Sequence, residues 1–251
     1  MKANKLIVAL DVDTVDQART LAKILSGVAG MFKIGSQLFT AAGPDFVSEL
    51  VNSGEKVFLD LKFHDIPNTV AAAGREATRL GVSIFNVHAA GGSEMMKRTA
   101  ETVDETAAVE GLPRPAIIAV TVLTSANEAT LAEIGFASDA AAAVKRLAQL
   151  AEVSGLDGVV ASPKEVAIVR AAVNRPGFII VTPGVRPAGS TTDDQKRVAT
   201  PREAVAAGAD YIVVGRPIIQ AKDPARAAQD VIDEIGSVAT NNSYRSEGTG
   251  V

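Results

Sequence analysis

Short apolar runs recur along the chain, and stretches that are amphipathic at helical spacing or rich in alanine separate them. The runs at residues 6–10, 31–34, 57–61, 83–87, 116–120, 158–161, 178–181 and 211–214 read as eight β-strands. Strand and helix in alternation are the mark of parallel βαβ units. Helix starts between the strands carry recognisable caps: Thr14 with Gln17, Ser162-Pro163-Lys164-Glu165, Thr200-Pro201-Arg202-Glu203 and Asp223-Pro224. Each sets an N-cap oxygen ahead of a helix, and three place proline at the first helical position. Pro67 opens another helix, expected to run to about Leu80. Eight such units predict an α/β fold, a (β/α)8 TIM barrel. A doubly wound open sheet is the alternative, but no G-x-G-x-x-G follows the first strand.

With 251 residues and 47% hydrophobic content the chain can bury a full core, in one large domain or two small ones. No linker-like stretch divides the first 236 residues, so a single barrel domain over residues 1–236 is expected. Residues 237–251 turn polar and rich in Gly, Ser and Asn, which predicts a disordered tail. A net charge of -4 and a pI near 5.3 give no support for a nucleic-acid or anionic-membrane partner. Without cysteine there is no disulfide, thiolate metal site or thiol nucleophile, and two histidines, His64 and His88, argue against a His-rich metal centre. The chain passes into its first strand without a signal-peptide pattern, and no apolar run approaches the roughly 18 residues of a membrane span. A soluble, cytoplasmic protein is the expectation.

Charge at the end of the third strand changes the picture. The period of two sets Phe58, Asp60 and Lys62 on one face and Val57, Leu59 and Leu61 on the other, with Asp65 following in the loop. In isolation such a pair reads equally as a structural salt bridge. A barrel, however, carries its active site at the C-terminal ends of its strands. There stand Asp11, Lys33, Asp60, Lys62, Asn86, His88, Thr121, Thr124, Ser162, the run Pro183-Gly184-Val185-Arg186, Gly215 and Arg216, while the opposite ends read as largely Ala, Gly and short loops. This asymmetry favours chemistry. One sub-site would combine Asp11, Lys33, Asp60, Lys62 and Asp65. Carboxylates beside an ammonium favour its charged form, so Lys62 reads as a proton donor rather than a Schiff-base amine. The other would use the loops after strands seven and eight, where Gly184, Gly189 and Gly215 allow close backbone approach and Arg186 and Arg216 suit bidentate phosphate contact.

The string Asp60-Leu61-Lys62-Phe63-His64-Asp65-Ile66-Pro67-Asn68-Thr69 closely resembles the bacterial orotidine 5'-monophosphate decarboxylase family. So do Val120-Thr121-Val122-Leu123-Thr124-Ser125, Pro183-Gly184-Val185-Arg186-Pro187, Asp194-Gln195-Lys196-Arg197 and Val214-Gly215-Arg216-Pro217, so that the resemblance spans about residues 5 to 235. It implies decarboxylation of orotidine 5'-monophosphate to uridine 5'-monophosphate in de novo pyrimidine synthesis, with neither metal nor organic cofactor. By the same resemblance Lys62 would protonate C6 of the pyrimidine as carbon dioxide leaves, and Asp60 would crowd the substrate carboxylate. Asp65 would complete the array from the other subunit of a homodimer. Asp11 and Lys33 would hold the ribose hydroxyls and the array, and Thr124 the pyrimidine. Thr69 joins the substrate-binding set, and Arg186, Gln195, Gly215 and Arg216 would hold the phosphate. In the loop after strand seven, Gly189, Ser190, Thr191 and Thr192 suggest mobility and closure over that phosphate.

Three rival functions share these residues: a metal-dependent sugar-phosphate decarboxylase or aldolase, a lysine Schiff-base aldolase, and a silent nucleotide-binding barrel. Lys33 beside the acidic groups argues against the first, and the intact Asp60, Lys62 and Asp65 set against the last. His64 and His88 read as structural or supporting groups, and Met95 and Met96 as helix packing. Ala140 to Ala143 is a helix former. Arg75, Glu76 and Arg79 read as a solvated helix face.

Overall fold

The computed structural model describes residues 5–136, 139–187 and 199–236. Eight parallel strands close on themselves in sequence order: β1 (Leu6–Ala9), β2 (Met31–Gly35), β3 (Val57–Phe63), β4 (Ile84–His88), β5 (Ala116–Val120), β6 (Gly158–Val160), β7 (Ile179–Thr182) and β8 (Tyr211–Val214). Helices α1 (Val15–Leu25), α2 (Ser36–Asn52), α3 (Pro67–Arg79) and α4 (Gly92–Glu110) follow the first four strands. After β5 come α5 (Glu128–Glu133) and α6 (Ala140–Val153), and after β6 comes α7 (Val166–Ala172). Helix α8 (Pro201–Ala206) precedes β8, which leads into α9 (Arg216–Ile219) and α10 (Pro224–Gly236). This is a single-domain (β/α)8 TIM barrel. The expected tail, residues 237–251, lies outside the described residues. Among those described, no helix is long and apolar enough to cross a membrane.

Three of the four caps read from the sequence form through the N-cap oxygen, whereas at Ser162 only the reciprocal bond from its N–H to Glu165 is made and Ser162 Oγ is buried without a partner. Thr14 and Gln17 exchange hydrogen bonds of 3.3 and 3.2 Å, and Thr200 and Glu203 exchange bonds of 3.2 and 2.8 Å. Asp223 Oδ1 accepts from Arg226 N–H at 3.0 Å, and Glu165 Oε2 accepts from Ser162 N–H at 2.9 Å. Such caps supply partners to orphan donors of the first turn, each stabilising its helix by about 1 kcal/mol.

Strand alternation separates two apolar layers. Ile7, Ala9, Met31, Phe58, Ile84, Ile118, Val181 and Val213 fill the barrel interior, while Leu6, Val8, Phe32, Val57, Leu59, Phe85 and Ile180 pack outward against the helices. On β1 to β4 the inward columns start apolar at Ala9, Met31, Phe58 and Ile84 and, two residues further along, reach the polar upper rim at Asp11, Lys33, Asp60 and Asn86. The lower rim differs from its sequence reading. Asp157, just before β6, accepts from Ile117 N–H (2.9 Å), Arg114 (2.6 Å) and Arg175 (3.2 Å). Asp210, just before β8, accepts from Ile180 N–H (2.8 Å) and from Arg170. These charges tie strand starts to one another, a structural use that side chains outside the apolar runs did not disclose.

Replacing Asp157 by alanine should lower the unfolding free energy by about 2 to 3 kcal/mol, because a backbone donor and two guanidinium groups lose a largely buried partner. Urea denaturation would measure it, and a change below about 0.5 kcal/mol, as at an ordinary surface site, would contradict this account.

Candidate active site

Register decides how the charges meet. Lys33 is level with Ala9 on one side and Phe58 on the other, while Gly35 is level with Asp60. The Lys33 stem therefore rises along the barrel wall, and its Nζ reaches Asp11 Oδ1 at 3.0 Å and Asp60 Oδ2 at 3.3 Å. Gly35 leaves the room for this: a Cβ there would stand 3.1 Å from Lys33 Nζ and 3.4 Å from Asp11 Oδ1. Burial works against the Lys33 ammonium, but Asp60 and Asp11 more than offset it and hold its pKa above the ordinary lysine value.

Asp60 Oδ1 faces Lys62 Nζ at 2.7 Å, so Asp11, Lys33, Asp60 and Lys62 form one alternating chain of charges. The Lys62 side chain is 36% exposed and that of Lys33 10%, which makes Lys62 the ammonium a ligand can meet. Its backbone is unusual. Lys62 has φ of 53°, the only positive value at a non-glycine residue among those described. Between Leu59 and Phe63 the ladder shifts, with four residues of β3 advancing (63 − 59) against two of β4 (87 − 85). Strict alternation thus ends at a bulge, and a left-handed lysine there costs about 1–3 kcal/mol. The predicted shared face of Asp60 and Lys62 survives because the bulge re-aims the lysine. The freed Lys62 N–H donates to Asn86 Oδ1 at 2.7 Å, and Asn86 Nδ2 donates to Asp60 Oδ1 at 2.7 Å. Phe63, at the far end of the bulge, packs on Phe85 with ring centroids 6.1 Å apart.

The chain of charges forms one wall of a cavity of about 510 Å³, a typical small-molecule volume. Its floor is apolar, with Ala9, Phe58, Val120, Val160, Val181 and Val213. Thr124 and Leu123 line it after β5, and Gly184, Arg186, Gly215, Arg216 and Gln220 line it after β7 and β8. Gly184 has φ of 77°, a conformation suited to glycine, whereas Gly215 does not. Arg186 is nearly buried, and its N–H donates to Ala199 O at 3.0 Å, pinning the two ends of the segment 188–198. Gln195 and the residues 189–192 expected to close over a phosphate fall in that segment, outside the described residues.

Asp65 and Thr69 do not line this cavity. Both are exposed; Asp65 Oδ1 accepts from Ile66 N–H at 2.6 Å, and Thr69 N–H donates to Ile66 O at 3.0 Å in the first turn of α3. Ile66 between them is 66% exposed. Gly35 and Asn86 are the contributors that sequence reasoning gave no role. Asn86 stood out as a polar residue in an apolar strand, but Gly35 depends on inter-strand register, which no local pattern encodes. Among the described residues, no group of three His, Cys, Asp or Glu side chains converges as metal ligands.

Fold and site together define a TIM-barrel protein with an alternating acid–ammonium wall that shares one cavity with two arginines, Arg186 in the loop after β7 and Arg216 at the start of α9. Residues 4–231 match the profile described as the Orotidine 5'-phosphate decarboxylase / HUMPS family, and the chain belongs to that family. It is 53% identical over 231 residues to the orotidine 5'-phosphate decarboxylase of Geotalea daltonii and 54% identical over 231 residues to that of Geobacter sulfurreducens, covering 92% of this chain and 95% of each relative. A crystal structure of orotidine 5'-phosphate decarboxylase from Lactobacillus acidophilus superposes with a TM-score of 0.81 at 37% identity, covering 92% of this chain and 99% of that one. An uncharacterized conserved protein from Geobacillus kaustophilus gives 0.78 at 38% identity, with the same coverage of each chain.

His88 ends the inward column of β4, its ring 5.3 Å from that of His64. Burial first, then the nearby His64 and Lys62, push its pKa below the ordinary 6.5, with Asp60 opposing. The unfolded chain therefore takes this proton first: the His88 contribution to stability is complete above about pH 6.5 and is lost as pH falls through the lowered folded value. Unfolding free energy should fall less steeply between about pH 7 and pH 5 in His88→Asn than in the parent protein. Equal slopes in urea titrations would rule this origin out.

Proposed function

We propose that this chain is a carboxy-lyase that converts orotidine 5'-monophosphate to uridine 5'-monophosphate in de novo pyrimidine synthesis, using its own Lys62 and no metal or organic cofactor. Family membership and the names of its relatives support the reaction. The observation that carries the mechanism is the Lys62 ammonium held 2.7 Å from Asp60 in the cavity wall.

The order of groups around the barrel fits the order of groups along the nucleotide. Arg186, Gly215 and Arg216 after β7 and β8 take the phosphate, with Gln195 as a further proposed contact. Asp11 and Lys33 on the neighbouring β1 and β2 take the ribose hydroxyls. The pyrimidine then lies over β3 to β5, between Lys62 and Thr124. In the reaction the bond from C6 to its carboxylate breaks, carbon dioxide departs, and the electron pair stays on C6. That pair lies in an sp2 orbital with little delocalisation, so the barrier is very high; enzymes in general supply roughly 8 to 23 kcal/mol. Asp60 crowds the substrate carboxylate, and the fixed ammonium of Lys62 stabilises the developing carbanion and then gives it a proton. Phosphate contacts remote from C6 contribute binding energy to the same transition state.

A metal-dependent relative would need the Asp60 carboxylate for its cation. Here Asp60 Oδ2 faces Lys33, and Oδ1 meets both Lys62 and Asn86, so a divalent ion would displace ammonium groups. Asp65 and Thr69, exposed beside Ile66 and away from their own cavity, are placed by this reading at the partner's site in a homodimer. The absence of Cys and the biosynthetic role suit a cytoplasmic enzyme.

Orotate absorbance should be lost rapidly when the protein meets orotidine 5'-monophosphate in EDTA, and free orotate should be unchanged. Lys62→Ala should abolish that loss while leaving uridine 5'-monophosphate binding largely intact; near-normal turnover in this variant would sink the proton-donor assignment.

A second experiment reads the dimer. Asp65→Ala and Lys62→Ala subunits, each inactive, should recover about a quarter of parental activity on equal mixing, since random pairing leaves one intact site in half the dimers. Asp60→Ala mixed with Lys62→Ala should recover none, because both groups serve one protomer's site. No recovery in the first mixture means that Asp65 is not shared.

A further inference from the structure

We infer that Asn86 is a positioning residue for the reaction: its side-chain amide fixes the Lys62 backbone and the Asp60 carboxylate relative to each other. The inference rests on the proposed role of Lys62 as proton donor. Wild-type turnover and the Lys62→Ala variant, measured in the same assay, decide that role independently of Asn86.

Three observations carry the inference. Lys62 sits in a left-handed conformation inside a bulge whose shifted ladder takes its N–H away from the backbone acceptors of β4. That N–H is satisfied instead by Asn86 Oδ1 at 2.7 Å. The other end of the same amide donates to Asp60 Oδ1 at 2.7 Å, the oxygen that also meets Lys62 Nζ at 2.7 Å. One planar group thus closes a ring through the Lys62 backbone, the Lys62 side chain and Asp60. The amide orientation is set by chemistry: turned over, it would set NH2 against N–H and carbonyl against carboxylate. Asn86 is fully buried, so water cannot stand in for either bond.

The residue type matters as well as the place. An apolar side chain at 86 would leave the Lys62 N–H and one side of Asp60 unmet in a buried setting. A cation would compete with Lys62 for Asp60, and an anion would repel it. A neutral group that is both acceptor and donor holds the bulge while leaving the ammonium with its charge directed at the ligand. Asn86 does not line the cavity, so it acts through Lys62 and Asp60 and not on the substrate.

The test uses Asn86→Leu and Asn86→Asp in the full-length protein, with stoichiometric uridine 5'-monophosphate binding as the check that the fold and the cavity are intact. Asn86→Leu should lower kcat by about 10- to 100-fold, the scale of a misplaced reacting group, with KM and product affinity within about threefold of the parent. Asn86→Asp keeps the shape. Its carboxyl group, when protonated, offers a C=O to the Lys62 N–H and an O–H to Asp60, and so reproduces the amide; when ionised it repels Asp60. The ratio of its kcat to that of the parent should therefore rise as pH is lowered from about 8 to about 6, a response that a filler of space would not give.

Asp60 and Lys62 on β3, Lys33 on β2 beyond Asp60, His88 two residues on in β4 and His64 against it are the charged or titratable groups around this position; Ile118, level with it on β5, is neither. All are common to both proteins, so the ratio isolates the new carboxyl group. A flat or falling ratio overturns the inference, as does a kcat within twofold of the parent in Asn86→Leu that binds product, or in Asn86→Asp at about pH 8. A loss confined to KM overturns it too. If Asn86→Leu does not fold, the pH response of Asn86→Asp alone decides.

Discussion

Burying a carboxylate at the mouth of an apolar barrel costs several kcal/mol unless cations and donors surround it, and Asp60 draws its partners from three adjacent strands. Lys33 comes from β2, Lys62 from β3 itself and Asn86 from β4. Removing any of them leaves a charge or a donor unmet in a site with little access to water, so the four side chains hold one geometry. That constraint turns three strand ends into one electrostatic unit.

The barrel supplies the dimensions that this unit requires. Parallel register sets Lys33 one inward step below Asp60, and the side-chain-free Gly35 leaves a channel for its stem to rise. Below it, Phe58 and the valines of the interior form an apolar floor that offers the ammonium groups no polar partner. Above it, the bulge in β3 gives Lys62 a direction that a regular strand would not. The strain of a left-handed lysine is local, and the energy that maintains it comes from the surrounding hydrogen bonds and from Phe63 packed on Phe85. Preorganisation of this kind would serve the proposed reaction, in which charge is localised in the transition state, since the dipoles are then oriented before the charge forms.

Much of this was legible in the chain because the relevant signals are local. Strand runs, alternation and helix caps each depend on a few neighbouring residues, and all eight strands appear within two residues of their expected ends. Position at a strand's C-terminal end was enough to single out Asp11, Lys33, Asp60, Lys62, Arg186 and Arg216. The rest depends on contacts between strands. Whether a glycine stands level with an aspartate, or where a ladder slips, follows from register, which the sequence encodes only through the packing of the whole barrel. The lower rim was misread for the same reason: Asp157 and Asp210 look like loop charges until Ile117 and Ile180 are seen to donate to them.

The same scaffold can serve chemistries that differ in what sits beside the acidic groups. A divalent cation there would polarise an oxygen and stabilise an enediolate, whereas a lysine ammonium can also transfer a proton to carbon. The two uses exclude each other at Asp60, whose oxygens cannot face ammonium groups on both sides and also serve as open metal ligands. Lys33 occupies Oδ2 from below, where burial would otherwise weaken its charge and two carboxylates maintain it. Lys62 is then the more exposed member of the pair, tethered at its backbone by a neutral amide. The cations that β2 and β3 deliver to this one carboxylate thus set what the Asp60 site can hold.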